Sequence, residues 1–312
     1  MHDATGPSVE LELKLQVPPA LWHHVVDEFG RLPGGVRHIH LEAHYIDTPT
    51  FRLSSAGFAW RLRCENGEWV QTLKSRARGA GFGRLEHNVH VTHSSTTPPA
   101  PDASLHAGTA AGERLRHVLE SLDEPIGVRY RTDIERQVAI QTASSGGTVE
   151  LALDHGVIAA GDRSTDVHEL EIELVDGTAA DVVDVALDWA NRHGLWSDSM
   201  HKARRGTLLA QGVTSLPVQR SRDTSVASLV DAVRANLSAV TNHMGGADHM
   251  TAIATDLHLV ARALDEREAH PIEAIAGAID ALGHDATDDE RIALLTDPTV
   301  NIAVIGLLHH IV

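Results

Sequence analysis

The chain has 312 residues, one cysteine (Cys64) and a formal net charge of −17, from 26 Lys and Arg against 43 Asp and Glu. A lone cysteine excludes a disulfide framework and a cysteine zinc site, and the acidic balance argues against a nucleic-acid partner, which needs a clustered positive field. No apolar run is long enough to span a membrane, and the N-terminal 19 residues lack the basic start and apolar centre of a signal peptide, so a cytoplasmic protein with no membrane partner is expected.

The first predicted element is a strand, Val9-Glu10-Leu11-Glu12-Leu13-Lys14-Leu15, apolar at odd positions and charged at even ones. Successive strand residues point to opposite faces, so Glu10, Glu12 and Lys14 share one face. Asp47-Thr48-Pro49 reads as a turn. Trp60–Arg63 then places Arg61 and Arg63 on one face, and Trp69–Lys74 places Thr72 and Lys74 together. The glycines of Gly79–Gly83 read as a hairpin connection, since no helix follows that would make them a phosphate loop. Next, Arg84, Glu86 and Asn88 alternate with Leu85 and Val89. Thr92–Asp102 reads as a surface loop and Ser144–Gly147 as a hairpin turn. Val149–Asp154 sets Glu150 and Asp154 against Val149, Leu151 and Leu153, and His168–Leu174 puts Glu169, Glu171 and Glu173 in one row. Like charges in a row repel unless cations intervene.

Six segments thus pair an apolar face with a charged one. An open sheet could wet its charges, or a barrel could enclose them. Periodicity leaves both open. Enclosed charge is costly unless paired, hydrated or metal-bound. A polyanion with divalent cations would satisfy both signs at once.

Composition changes near residue 213. We read residues 1–212 as one domain, 213–223 as a linker and 224–312 as a helical region. There Leu229, Val233 and Leu237, and then Leu257, Val260, Ala261 and Leu264, recur at helical spacing. From Arg222 onward the chain holds five Arg, no Lys and fourteen acids. Residues 280–299 break into short pieces, and Val300–Val312 is apolar enough to need burial. The five Trp are expected in the core and Cys64 as a buried thiol on the face opposite Arg63. The 22 His show no metal-binding arrangement.

Longer motifs lie in order along Ser8–Gln211. They are Glu10-Leu-Glu12-Leu-Lys14; Tyr45-Ile-Asp47-Thr48-Pro49; Arg61-Leu-Arg63; Trp69-Val-Gln71-Thr72-Leu73-Lys74; and Arg84-Leu-Glu86. They continue through Arg136, Leu151-Ala-Leu153-Asp154, Glu169-Leu-Glu171-Ile-Glu173 and Lys202-Ala-Arg204-Arg205-Gly206. The series resembles the CYTH family, also called triphosphate tunnel metalloenzymes, and within it the bacterial inorganic triphosphatase branch, whose members often carry a C-terminal helical CHAD domain. The resemblance implies an α+β fold, a closed eight-stranded antiparallel β-barrel wrapped by helices and forming a tunnel.

It also implies metal-dependent hydrolysis of inorganic triphosphate with Mg²⁺ or Mn²⁺. By position, Glu10, Glu12, Lys14, Glu171 and Glu173 become the catalytic set. Glu10, Glu12, Glu86, Asp154, Glu171 and Glu173 become metal ligands, with Glu169 supporting them. Lys14, Arg61, Arg63, Lys74, Arg84, Arg136, Lys202 and Arg204 become phosphate contacts. Arg131 reads equally as a phosphate contact and as a surface arginine, and Glu150 is given no role. Nucleoside or thiamine triphosphatase, adenylate cyclase and a non-catalytic phosphate-ligand sensor are the alternatives, and a homodimer is a possible assembly. The region 224–312 is too short and too acidic for a full CHAD domain. It is expected to be a truncated appendage without polyphosphate affinity, packed on the barrel or on another subunit, which the barrel can lose after Gln219 without losing activity.

Overall fold

Alternating apolar and charged residues become two-faced strands in the computed structural model, which describes residues 8–76, 83–93 and 97–312. Strand β1 (Ser8–Gln16) leads through α1 (Trp22–Phe29) to β2 (Arg37–Asp47). The short α2 (Arg52–Ser55) precedes the meander β3 (Phe58–Glu65), β4 (Glu68–Arg76) and β5 (Gly83–Val91). Helix α3 (Ala110–Glu120) leads into the long strands β6 (Gly127–Thr142), β7 (Thr148–Ala160) and β8 (Arg163–Asp176). Then come α4 (Ala179–His193), the two-residue β9 (Trp196–Ser197) and α5 (Lys202–Gln211). The chain continues with α6 (Val226–Thr241), α7 (Ala247–Ala261), α8 (Glu266–Leu282), α9 (Asp288–Leu295) and α10 (Pro298–Gly306).

The strands form one antiparallel sheet in the order β5-β4-β3-β2-β6-β7-β8-β1-β9. Strand β1 pairs with β5 over Ser8–Leu11 and with β8 over Glu12–Gln16, and so links the two ends of an eight-strand ring. Among the described residues no β1 residue pairs with both β5 and β8, and β9 adds a ninth strand beside Leu15 and Gln16. The expected closed eight-stranded barrel is therefore approximate, a curled nine-stranded sheet with a seam at β1. Tilted barrel strands are staggered, and a nine-residue strand is too short to flank both neighbours along its length.

Register decides what the sheet encloses. Glu173 lies opposite both Glu12 and Glu150, Glu171 opposite Lys14, Asp154 opposite both Arg136 and Glu169, and Lys74 opposite Glu86. These residues share the inner face. On the outer face Leu13, Leu15, Leu151, Leu153, Leu170 and Ile172 are buried against Val182, Val183, Ala186 and Trp189 of α4. Trp60, Leu62 and Leu73 are buried beneath Leu115 of α3. Cys64 is half-buried beside that second cluster. One end of the inner face is itself apolar: Leu41, Tyr45, Tyr130, Ile134, Ile158 and Val167 pack with Ala203 and Leu209 of α5, which plugs that end.

The Asp47 turn is structural, as expected. Its carboxylate accepts the backbone N–H of Thr48 and of Leu53, each at 2.8 Å, and that of Ser54 at 2.9 Å. The expected Gly79–Gly83 connection and Thr92–Asp102 loop fall largely or partly outside the described residues.

The C-terminal helices pack on the barrel, one of the two expected placements. Leu229, Val233, Leu237, Ile253, Leu257, Val304 and Leu308 belong to the same buried cluster as α4 and the outer face of β1. The segment expected as a linker is strapped to α6: Gln219 N–H donates to Asn236 Oδ1 at 2.8 Å, and Asn236 Nδ2 donates to the Gln219 carbonyl at 2.9 Å. Among the described residues no single helix is long and apolar enough to cross a membrane.

Candidate active site

Strands β3 and β4 bring Arg61, Arg63 and Lys74 to one wall of the interior. Strands β1, β7 and β8, across the ring, bring Glu12, Glu150, Glu171 and Glu173 to the other. They line a single cavity of about 290 Å³ together with Tyr45, Glu86, Asn88, Arg136, His201 and Lys202.

At one end of this cavity the acids outnumber their partners. Neither Glu12 nor Glu173 makes an ion pair with a described cation. Burial pushes the Glu173 carboxyl up to about 7; Lys74 opposes this, while Glu12, Glu86 and Glu150 add to it. Lys74 is itself engaged with Glu86, at 2.7 Å. Asn88 Nδ2 also donates to Glu86, at 2.8 Å. Oxygen donors in excess of positive charge suit a hard divalent cation. The residues present therefore fit the expected Mg²⁺ or Mn²⁺, with Glu12 and Glu173 as its best-placed holders.

On the basic wall Arg63 keeps one donor unmet. Burial, helped by the neighbouring Arg61, holds the Arg63 guanidinium down at about 10. Its Nε–H is buried without a hydrogen-bond partner, while another of its nitrogens pairs with Glu65. An anion entering here gains charge-assisted hydrogen bonds that the protein does not itself supply.

A second acidic cluster lies deeper. Asp154 and Glu169 are fully buried, and Glu171 is nearly so. These acids are compensated. Arg136 clasps Asp154 through Nε at 2.7 Å and a terminal nitrogen at 2.6 Å, and also contacts Glu171. Lys202 Nζ lies 2.6 Å from Asp154 and 2.7 Å from Glu171, and touches Glu169. Against the cost of burial, Lys202 and Arg136 hold Glu171 well below the usual carboxylate range. The three acids likewise raise Lys202 above its ordinary value against that cost.

The structure thus gathers Glu12, Lys14, Arg61, Arg63, Lys74, Glu86, Arg136, Asp154, Glu171, Glu173 and Lys202 on one inner face. Within it, Lys14 is buried, donates to the Met200 carbonyl and lies 3.6 Å from Glu169. The backbones of Glu10 and Arg84 pair across β1 and β5, but their side chains lie outside the described residues. Arg131 is exposed on the outer face opposite His44 and so is a surface arginine. Arg204 is exposed and lines a second chamber of about 550 Å³, which shares Ala59, Lys74, His201 and Ala203 with the tunnel. That chamber is walled partly by Leu216, Asn236 and Ser238 from beyond α5, and no Asp or Glu among the described residues lines it.

Three participants escaped the sequence reading. Arg205 is buried, 3.4 Å from Glu169, and donates to the Asp166 carbonyl at 2.5 Å. Its i,i+3 spacing from Lys202 puts both on one helix face and was the available signal. His201 lines both cavities, and its Nδ1 accepts the Arg204 N–H at the start of α5. Asp198 is buried, accepts from Gln16 Nε2 at 2.9 Å and lies 4.0 Å from Lys14, and no local pattern announces it.

Compared with known proteins, residues 8–207 match the family described as the CYTH domain. An inorganic triphosphatase from Haemophilus influenzae is 25% identical over 203 residues, which take in 64% of this chain and 54% of the relative. The chain thus spans about half the length of that curated relative. A candidate adenylate cyclase structure from Bacillus halodurans aligns with a TM-score of 0.44 at 18% identity, covering 61% of this chain and 91% of its own. A candidate adenylyl cyclase from Hippeastrum, described as having a dominant triphosphatase activity, aligns with a TM-score of 0.43 at 17% identity, covering 66% and 96%.

Proposed function

The chain belongs to the CYTH domain family, and from that premise we propose that it hydrolyses inorganic triphosphate inside the tunnel with Mg²⁺ or Mn²⁺. One observation carries the reading. A single cavity sets Glu12 and Glu173, which make no ion pair with a described cation, across from the guanidinium groups of Arg61 and Arg63, and the Nε–H of Arg63 is buried without a hydrogen-bond partner. A triphosphate carrying a divalent cation supplies what each wall lacks.

Phosphoryl transfer demands positioning and charge neutralisation rather than a protein nucleophile. Arg61, Arg63 and Lys74 would grip non-bridging phosphate oxygens, the guanidinium groups by paired hydrogen bonds and the ammonium as a point charge. Glu12 and Glu173 would hold the metal, which supplies charge neutralisation at the phosphorus–oxygen bond that breaks. Water adds its oxygen to the terminal phosphorus, the bridging oxygen leaves on pyrophosphate, and the proton passes to solvent or to a phosphate oxygen. The half-buried Arg136 keeps Asp154 and Glu171 charged and in place.

The second chamber favours one alternative. Its lining mixes Lys74, His201 and Arg204 with hydroxyl, amide and apolar groups and offers room for an organic group attached to the triphosphate, as in a nucleoside or thiamine triphosphate. A phosphate-release assay on tripolyphosphate, ATP and thiamine triphosphate, with and without Mg²⁺ and Mn²⁺, decides between them. The first reading expects metal-dependent release chiefly from tripolyphosphate, and a loss of about 100-fold in Glu173→Gln. Preference for the esters would favour the alternative, and no release from any substrate would favour a non-catalytic ligand sensor.

A further inference from the structure

Carboxylates arranged like a metal site can be filled by the protein itself. Asp154, Glu169 and Glu171 each present an oxygen within 4.8 Å of the others. On donor atoms alone this trio would take a hard divalent cation. The ammonium of Lys202 already stands where that ion would sit. Nζ contacts all three carboxylates, at 2.6 Å for Asp154 and 2.7 Å for Glu171, with Glu169 also in reach. Arg136 adds contacts to Asp154 and Glu171, while Lys14 and Arg205 approach Glu169 Oε2 at 3.6 and 3.4 Å. Three negative charges therefore already face four positive ones, and a divalent ion added here would meet repulsion.

Helix α5 holds the ammonium in place. Its Ala203 and Leu209 pack into the apolar end of the barrel, and Tyr130 Oη donates to the Ala203 carbonyl at 2.8 Å. The cavity's other end differs, since neither Glu12 nor Glu173 makes an ion pair with a described cation, though both line the tunnel.

We propose that Lys202 is the resident cation of the Asp154, Glu169 and Glu171 cluster, so that the substrate-free tunnel takes a single divalent ion, at Glu12 and Glu173. The proposal rests on the metal-dependent reading above only for the presence of a metal. It makes Lys202 a positioning residue, pinning α5 to the barrel, instead of a phosphate contact.

The test is Mn²⁺ titration of the substrate-free 312-residue chain, followed by calorimetry and by the spin-resonance signal of free Mn²⁺. Wild type and Lys202→Arg are expected to bind a single ion. Lys202→Met should gain a second ion, and its lowered melting temperature should recover as Mn²⁺ is added. Should Lys202→Met fail to fold, Glu173→Gln still decides, because it should bind no Mn²⁺. Two ions or none in wild type, or one ion retained by Glu173→Gln, would overturn the proposal. These readouts do not depend on turnover. Correct stoichiometry in a protein that hydrolyses nothing refutes the hydrolase reading alone, and an active protein with two ions refutes this proposal alone.

Discussion

Glu173, the proposed metal ligand, shows the cost of burying an unpaired carboxylate. An unperturbed glutamate titrates near 4.5, whereas in the metal-free fold Glu173 is pushed to about 7. The folded state binds this proton more tightly than the unfolded chain. The group's contribution to stability is therefore full below pH 4.5 and is lost as pH rises through 7. Glu173→Gln removes the titration. Without metal, that variant should be more stable than wild type at pH 8 by about 3.5 kcal/mol, given about 1.4 kcal/mol per pKa unit, and should gain nothing at pH 4. Thermal melts at the two pH values check this, and equal melting temperatures at pH 8 would mean that Glu173 is solvated and relaxed. At this scale much was legible. Alternation alone put Glu12, Arg61 and Glu173 on charged faces, because strand side chains alternate whatever the tertiary fold. Their departures from ordinary acidity were not legible, since burial and cross-strand neighbours come from other elements.

Helix α5 is where an element's sequence and its placement meet. Gly206 lies against the ring of Tyr130, and a Cβ built there would fall 2.2 Å from ring carbons. The ring cannot swing aside freely: it is buried and stacked on Tyr45, with centroids 4.5 Å apart and planes 16° from parallel. Gly206→Ala should accordingly destabilise the protein by about 1–3 kcal/mol, the usual cost of overpacking, read as a lowered urea midpoint. An unchanged midpoint would show that α5 is not seated as described. The run Lys202-Ala-Arg204-Arg205-Gly206 marked a basic segment in the sequence. Which of its cations enter the barrel depends on helical phase: Lys202 and Arg205 turn inward, while Arg204 faces the second chamber. Element β1 teaches the converse. Its charge pattern was plain, yet its change of partner from β5 to β8 follows from barrel stagger and leaves no mark in local composition.

Across the whole molecule, the C-terminal helices complete the core that the barrel's outer face begins. Leu229, Val233 and Leu237 of α6 belong to the same buried cluster as Leu13, Leu15 and Trp189. Ending the chain at Gly212 would expose that apolar surface to water at roughly 25 cal/mol per Å². The truncated protein should bind a hydrophobic dye and elute as aggregate on gel filtration. A monodisperse, active truncation would restore the separable appendage expected from composition. The amino-acid order by itself determined two-faced strands, a charged set of both signs in family order, and an apolar C-terminus that had to be buried, because side-chain alternation and hydrophobic periodicity are local properties. Only the tertiary structure decided which acids lack partners and which are neutralised, and that the helices share the barrel's core. Both depend on register and on distances between segments far apart in the chain.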